Sequence, residues 1–283
     1  MNGQRATQLP NPIALAATWN PAVAEQYGRL IGSEAHSTNH NVSLGPVLDI
    51  VRVPLWGRIN ETFGEDPLLA GTMGAAQIRG IQSSPVISTV KHFLVSTQES
   101  NSRLTNKILD NRTLEEIYVR PWVTALRDGN PGAAMCAFGK VNGIDGCEND
   151  QIMNQILKTQ LGFTGWIMTD YAATFRTVPA VLAGLDQEMP GNFTPNVGPG
   201  SCEFCGPLLD AVRSGQVPMA RIDDAVLRIL RSMFEHGLFD TPAVVQPLPE
   251  ADHDAQSLAI AEKAMILLKT TPTLFLFQGE SLR

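Results

Sequence analysis

The stretch "GWIMTDYAATF" places a lone carboxylate, Asp170, where an apolar run ends. Other apolar runs end the same way. "NVSLGPVLDI" leads into Asp49 and Arg52, and "SPVISTVKHF" closes on Lys91 and His92. "GAAMCAFGKVN" ends with Lys140 and Asn142, and "VLAGLDQEM" with Asp186 and Glu188. In folds built on parallel strands, chemistry gathers at the C-terminal strand ends. A single Asp there can equally cap the next helix or join a salt bridge on the rim. Five polar clusters in the same position along successive runs favour a shared site. Lys91 taken alone also permits a Schiff-base amine.

The elements that must position these groups alternate. The apolar runs read as fully buried strands rather than half-exposed ones. Between them lie segments of helical period. Residues 21–36 begin at a proline with Asn20 as a cap, 67–81 follow an acidic turn, 113–127 open on "TLEE", a capping box, and 149–161 form a fourth. Repeated strand–helix alternation in one domain favours a (β/α) barrel over an open doubly wound sheet, and no glycine fingerprint of a dinucleotide fold is present. Farther on, "GPLLDAVRSGQVPMARIDDAVLRILRSMFEHGLF" reads as two helices stopping at Gly215 and Gly237. The second carries an apolar stripe, Ile222, Val226, Ile229, Leu230, Met233 and Phe234, read as core packing. The barrel domain is assigned to residues 1–240. A Pro- and acid-rich linker covers 241–254, and 255–283 read as the start of a second α/β domain, one helix and then a strand in "TTPTLFLFQGESLR".

Bulk properties narrow the partners. The chain has 283 residues, 43% hydrophobic and 17% charged, with a formal net charge of -7. That balance, without a basic run, does not supply the cationic surface nucleic acid requires. No stretch reaches the ~20 apolar residues of a membrane span, and the first residues lack the apolar core of a signal peptide. Cys136 and Cys147 bracket a short loop-like segment, and Cys202 and Cys205 form "CEFC" among Gly and Pro. Either pair can close a small disulfide loop. Zinc would need four converging ligands, and no His lies near either pair; the simplest account of "CEFC" is a surface loop. Sequons at Asn41, Asn60, Asn111 and Asn192 point to a secretory origin and favour a Cys136–Cys147 disulfide.

Several stretches together resemble glycoside hydrolase family 3, which contains β-glucosidases and β-xylosidases. They are "LAATWNP", "GPVLDIVRVPLWGRINETFGEDP", "TVKHFLVSTQESNSR", "AMCAFGKVNG", "GFTGWIMTDYAA", "GLDQEMPG" and "IDDAVLRILRSMFEHGLFD", in family order over most of the chain. The resemblance implies a (β/α)8 TIM-barrel-like domain and a retaining, secreted β-glucosidase acting on glycosides or oligosaccharides without a cofactor or metal. It makes Asp170 the nucleophile that forms a glycosyl ester. It makes Arg58, Lys91, His92 and Arg103 ligands of sugar hydroxyls, where ionised donors give the stronger hydrogen bonds. The "KHF" setting argues against a Schiff-base role for Lys91. An ion pair of Arg58 with Glu61, Glu65 or Asp66 is compatible with sugar binding.

The sequence departs from the family at four places. Arg103 is displaced by one residue from its expected position. Phe138 stands where many members have a tyrosine whose hydroxyl lies near the nucleophile. The first barrel strand, with an Asp-Gly-Pro motif, is absent before "LAATWNP", so the barrel is expected to be incomplete at its first strand. No counterpart of the general acid/base, a glutamate on a following α/β sandwich domain, is present. Loss of that group costs a factor of roughly 100 to 10,000 for an unactivated substrate. Two accounts follow: the nucleophile-bearing part of a retaining β-glycosidase, or a catalytically impaired, sugar-binding remnant.

Overall fold

The computed structural model describes residues 6–191 and 202–268. Proline and a side-chain cap start the two principal N-terminal helices. After the short helix α1 (Pro12–Ala17), α2 (Pro21–Ser37) has Pro21 in its first turn, and the Asn20 side chain accepts the Ala22 N–H. In α3 (Pro67–Ile81) the Asp66 carboxylate accepts from Leu68 and Leu69. These two helices approach closely because glycines face each other. A Cβ at Gly28 would stand 2.2 Å from the Gln77 carbonyl oxygen, and one at Gly80 2.2 Å from that of Glu25.

Four parallel strands form the central sheet, β1 (Val42–Ser43), β2 (Ile87–Phe93), β4 (Ala133–Cys136) and β7 (Trp166–Thr169), in that spatial order. A bridge from Val47 to Lys91 prolongs the β1 edge along β2, and one from Met168 to Gln187 carries the sheet beyond β7. Residues of β2, β4 and β7 are almost all buried, as the unbroken apolar runs require. A second, small sheet joins β3 (Asn106–Lys107), β5 (Lys140–Val141) and β6 (Ile144–Asp145). Asn142 and Gly143 turn β5 into β6 with φ of 50° and 89°. The run "GAAMCAFGKVN" therefore serves two sheets, broken at Ala137–Gly139, and "VLAGLDQEM" is a strand only at Gln187. Its Val181 and Leu182 finish α6 (Thr177–Leu182), and Gly184, at φ 106°, turns the chain back.

The third helix starts earlier than its sequence suggests. Asp110, not Thr113, is the cap, accepting the Thr113 N–H at 2.7 Å, so α4 begins at Asn111 (Asn111–Thr113) and "TLEE" is already helical. The winding widens to a π-helix over Leu114–Val119 before α5 (Arg120–Gly129). Pro121 has no N–H to give the preceding turn, which accounts for the widening there. Another π-wound helix, Gln151–Gln160, lies between β6 and β7.

Downstream, α7 (Gly206–Arg213) and α8 (Met219–Glu235) stop ahead of Gly215 and Gly237, both at positive φ. Only part of the α8 stripe is core. Ile222, Ile229 and Met233 are half-buried, whereas Val226, Leu230 and Phe234 are exposed. The cause is local. Ile229, Met233 and Leu238 line an apolar cavity of about 390 Å³ with Val42, Ile87, Trp166 and Met168, between the β1 edge and the Gln187 edge. Among the described residues no strand precedes Val42, and none joins the β1 edge to the Gln187 edge. Helix α9 (Glu250–Ala264) starts within the stretch read as linker. It packs back on α1 and α2, with Ile260 fully buried in the main core and His253 Nδ1 2.7 Å from the Glu34 carboxylate. The strand read in "TTPTLFLFQGESLR" and the sequon at Asn192 lie outside the described residues.

Both cysteine pairs are joined, Cys136 to Cys147 and Cys202 to Cys205, so "CEFC" is a stapled turn leading into α7. The first bridge spans eleven residues and ties the end of β4 to a buried turn. In the chain-entropy account such a loop is worth about 3 kcal/mol, and the three-residue spacing of the second roughly half that. Replacing Cys136 and Cys147 by Ala is therefore expected to lower Tm by about 6–12 °C, and more than the Cys202/Cys205 pair does. Equal shifts by calorimetry would contradict this ranking.

Candidate active site

Because β1, β2, β4 and β7 run parallel, their C-terminal ends share one face. The Val47 bridge sets Asp49 beside the end of β2, where Lys91 N–H donates to Pro46 and Leu48 N–H donates to Lys91. Asp170 follows Thr169, the last residue of β7, and its N–H bonds the Cys136 carbonyl. Three segments distant in sequence thus converge.

At the centre is His92, with 2% of its side chain exposed. Its Nδ1 lies 2.7 Å from Asp49 Oδ2, and its backbone N–H reaches the other oxygen at 3.4 Å. The carboxylate holds the proton on Nδ1, leaving Nε2 to face Arg58 Nη1 and Asp170 Oδ2, both at 3.4 Å. Nε2 is thus placed between a guanidinium and a carboxylate oxygen. Asp170 keeps 14% of its side chain exposed, and its Oδ1 accepts the Tyr171 N–H at 2.7 Å. It is accessible and held at Oδ1, with Oδ2 beside the His92 ring.

Arg58 is chelated by Glu61, Nε to Oε1 at 3.0 Å and Nη2 to Oε2 at 2.7 Å, and lies 3.9 Å from Glu99. That bidentate pair raises the guanidinium pKa and lowers that of Glu61, so both stay ionised. Glu99 is in turn held by the indole N–H of buried Trp56. Of the three partners proposed for Arg58 from sequence, Glu61 is the one used; Asp66 caps α3 instead. Lys91 is partly buried. Burial and the Arg58 charge push its pKa down, against Glu61, Asp170 and Asp49. Arg58, Lys91, His92 and Asp170 therefore form one cluster, two cations and an imidazole beside a carboxylate, suited to a polyhydroxylated ligand.

Arg103 sits differently. Its two terminal nitrogens donate to the Tyr171 and Ala172 carbonyls at 2.8 Å each, and its guanidinium lies 4.5 Å from the Phe138 ring centroid. Two of its five donors thus hold the backbone directly after Asp170. Two of the five strand-end clusters are also structural. Asp186 is fully buried between Lys158 and Arg221 and accepts from Ile167 N–H, while Glu188 accepts from the Glu203 and Phe204 N–H groups and its pKa is raised by burial. Lys140 meets Asp145 at 4.0 Å, and Asn142 bonds both backbone groups of Leu109.

Two contributors were not singled out as site residues from sequence. Asp49 was visible only as one strand-end acid among several. Glu148, buried after β6, accepts the Phe175 and Arg176 N–H groups and the Arg176 guanidinium, fixing the loop beyond Asp170; its sequence context "GCEND" carries no signal of this. Among the described residues no group of His, Cys, Asp and Glu is arranged to hold a metal ion.

Comparison with known proteins agrees with this architecture. The chain is 35% identical over 279 residues to probable beta-glucosidase L of Emericella nidulans, covering 94% of this chain and 37% of that protein. Against beta-glucosidase B of the same organism identity is 32%, covering 94% and 31%. In three dimensions it is similar to beta-D-glucoside glucohydrolase from Trichoderma reesei, with TM-score 0.90, 34% identity and coverage of 96% of this chain and 38% of that one. Beta-glucosidase 3B from Thermotoga neapolitana, in complex with glycerol, gives TM-score 0.89 at 28% identity, covering 97% and 39%. The chain thus spans about a third of the length of these relatives. The profile described as "Glycosyl hydrolase family 3 N terminal domain" matches residues 1–232, and the chain belongs to glycosyl hydrolase family 3.

Proposed function

We propose that this chain is the nucleophile-bearing barrel of a retaining β-glycosidase of the β-glucosidase type. The observation that carries it is the convergence of Asp170 with His92, Lys91 and Arg58 at the C-terminal strand ends of a family 3 chain. Asp170 attacks the anomeric carbon, an Oδ–C1 bond forms, and the C1–O bond to the leaving group breaks. Water then hydrolyses the ester, returning the carboxylate, and two inversions give net retention. A carboxylate suits both steps because it also stabilises the positive charge that develops on the sugar ring. Arg58, Lys91 and His92 supply charge-assisted hydrogen bonds to ring hydroxyls, and the Asp49 contact fixes the imidazole that points at Asp170. A related enzyme, beta-glucosidase 3B from Thermotoga neapolitana, has been solved with glucose, which supports a glucoside as substrate.

The test is a dinitrophenyl β-glucoside, whose phenolate departs without protonation. A stoichiometric burst of dinitrophenolate is expected. Folded protein that releases none would refute the assignment.

We further propose that the protein matures in a secretory compartment. Two disulfides and three exposed sequons, at Asn41, Asn60 and Asn111, support this. Protein from a secreting eukaryotic host is expected to lose mass under an endoglycosidase and to show no free thiol. An unchanged mass with four titratable thiols would overturn it.

A further inference from the structure

Lys107 is a half-buried cation that the proposed chemistry does not use. It lies on β3, and its ammonium donates to the Phe138 carbonyl at 2.6 Å. Gly139 makes room for it. A Cβ there would stand 2.9 Å from Lys107 Nζ, and the residue's φ of 71° excludes most side chains in any case. Among the described residues no carboxylate lies within ion-pair distance of Lys107. The charged groups facing it are Asp49, already engaged by His92, and Asp145, which lies 4.0 Å from Lys140. Its fixed partner is therefore a backbone carbonyl.

That carbonyl belongs to the residue on which Arg103 stacks, and Arg103 holds the two carbonyls directly after the nucleophile. We propose that Lys107 is a positioning residue for Asp170, acting through the Phe138 turn, the ring of Phe138 and the guanidinium of Arg103. The Tyr171 N–H held by Asp170 Oδ1 and the Ala172 N–H held by Met189 O close the connection. Phe138, which lacks the hydroxyl expected from the family pattern, thus serves as the platform for Arg103.

This inference rests on the reading of Asp170 as nucleophile, and its test separates the two. Trapping by a 2-deoxy-2-fluoro glucoside with a dinitrophenolate leaving group is measured for the full chain and for Lys107→Met, Lys107→Gln and Lys107→Arg. Lys107→Met is expected to trap about tenfold more slowly, since small misplacements of reacting groups cost rate at this scale. Lys107→Arg, which keeps charge and donor, restores the rate to within about threefold on the same grounds.

Burial pushes the Lys107 pKa down to about 8, against the pull of Asp49 and Asp145. Its charge is present below that pH and lost above it, and the bond to Phe138 weakens with the charge. The wild-type rate should therefore fall as pH rises through about 8, and Lys107→Arg should not share this fall. Hydrogen exchange at Tyr171–Ala173 is expected to quicken in Lys107→Met and Lys107→Gln. Wild-type exchange there in folded variants would overturn the proposal, as would unchanged trapping rates and pH profiles. If wild type is not trapped at all, the reading of Asp170 fails, while the exchange comparison still judges Lys107.

Discussion

Replacing Asp170 by Asn is expected to abolish covalent trapping while leaving the fold intact. The substitution is isosteric. An Asn at this position can still accept the Tyr171 N–H that Asp170 Oδ1 accepts at 2.7 Å, so the loop after β7 keeps its anchor. What disappears is the charged oxygen 3.4 Å from His92 Nε2, which is also the atom proposed to bond the anomeric carbon. An amide oxygen is a poor nucleophile and leaves the cations Arg58 and Lys91 without the carboxylate they surround. Loss of a nucleophile from a catalytic unit costs on the order of 10⁴ in rate or more.

In wild type, incubation with the fluorinated dinitrophenyl glucoside should add one 2-deoxy-2-fluoroglucosyl unit by intact mass. Peptide mapping should place it on Asp170. The variant should show none over the time in which wild type is complete, with an unchanged thermal melt. A label that persists in Asp170→Asn would move the nucleophile elsewhere.

The largest effect on stability is expected at Asp186. Its side chain is completely buried, 2.9 Å from Lys158 and 2.6 Å from Arg221, and its second oxygen accepts the Ile167 N–H at 2.8 Å. One carboxylate therefore ties the π-wound helix, α8 and β7 together. Burial pushes the Lys158 pKa down to about 8, opposed chiefly by Asp186, so the ammonium is still charged at neutral pH and depends on this partner.

Asp186→Asn removes the buried neutralising charge and leaves Lys158 and Arg221 only the partly exposed Asp224, 3.7 and 3.2 Å away. Breaking a buried pair in this way costs about 3–5 kcal/mol, or about 6–20 °C in Tm for a domain of this size. Asp224 belongs to the same cluster but is 41% exposed, where solvent screens its pairs with Arg221 and Arg228. Asp224→Asn should shift Tm by no more than about 2–4 °C, the equivalent of a surface pair. Equal melting shifts for the two variants would show that the buried carboxylate is not the keystone described. Because Asp186 also holds the edge of β7, its loss should slow trapping at Asp170 as well.

Asp170 and Asp186 illustrate how unevenly function was legible in the sequence. Both are acids at the end of an apolar run, and nothing local distinguishes them. One turns toward His92 on the open face, and the other turns inward onto Lys158 and Arg221. Ordered family motifs, rather than position alone, separated the two beforehand.

Periodicity and punctuation are properties of neighbouring residues, so the strand–helix alternation, the starts at Pro21 and Pro67 and the stops at Gly215 and Gly237 could all be read from the chain. So could the parallel sheet, because short runs such as "AAMC" and "WIM", apolar without alternation, are buried on both faces. Which strand-end groups meet was decided by tertiary structure. Asp49 and His92 are 43 residues apart, and their contact depends on the register that sets Val47 beside Lys91. The contacts of Arg103 are of the same kind, because Phe138 and the carbonyls after Asp170 lie within its reach only once the strand ends are assembled. The exposed half of the α8 stripe has the same origin. An apolar face is buried only where a neighbour covers it: Ile229 and Met233 meet the cluster of Ile87, Trp166 and Met168, whereas Val226, Leu230 and Phe234 stay exposed.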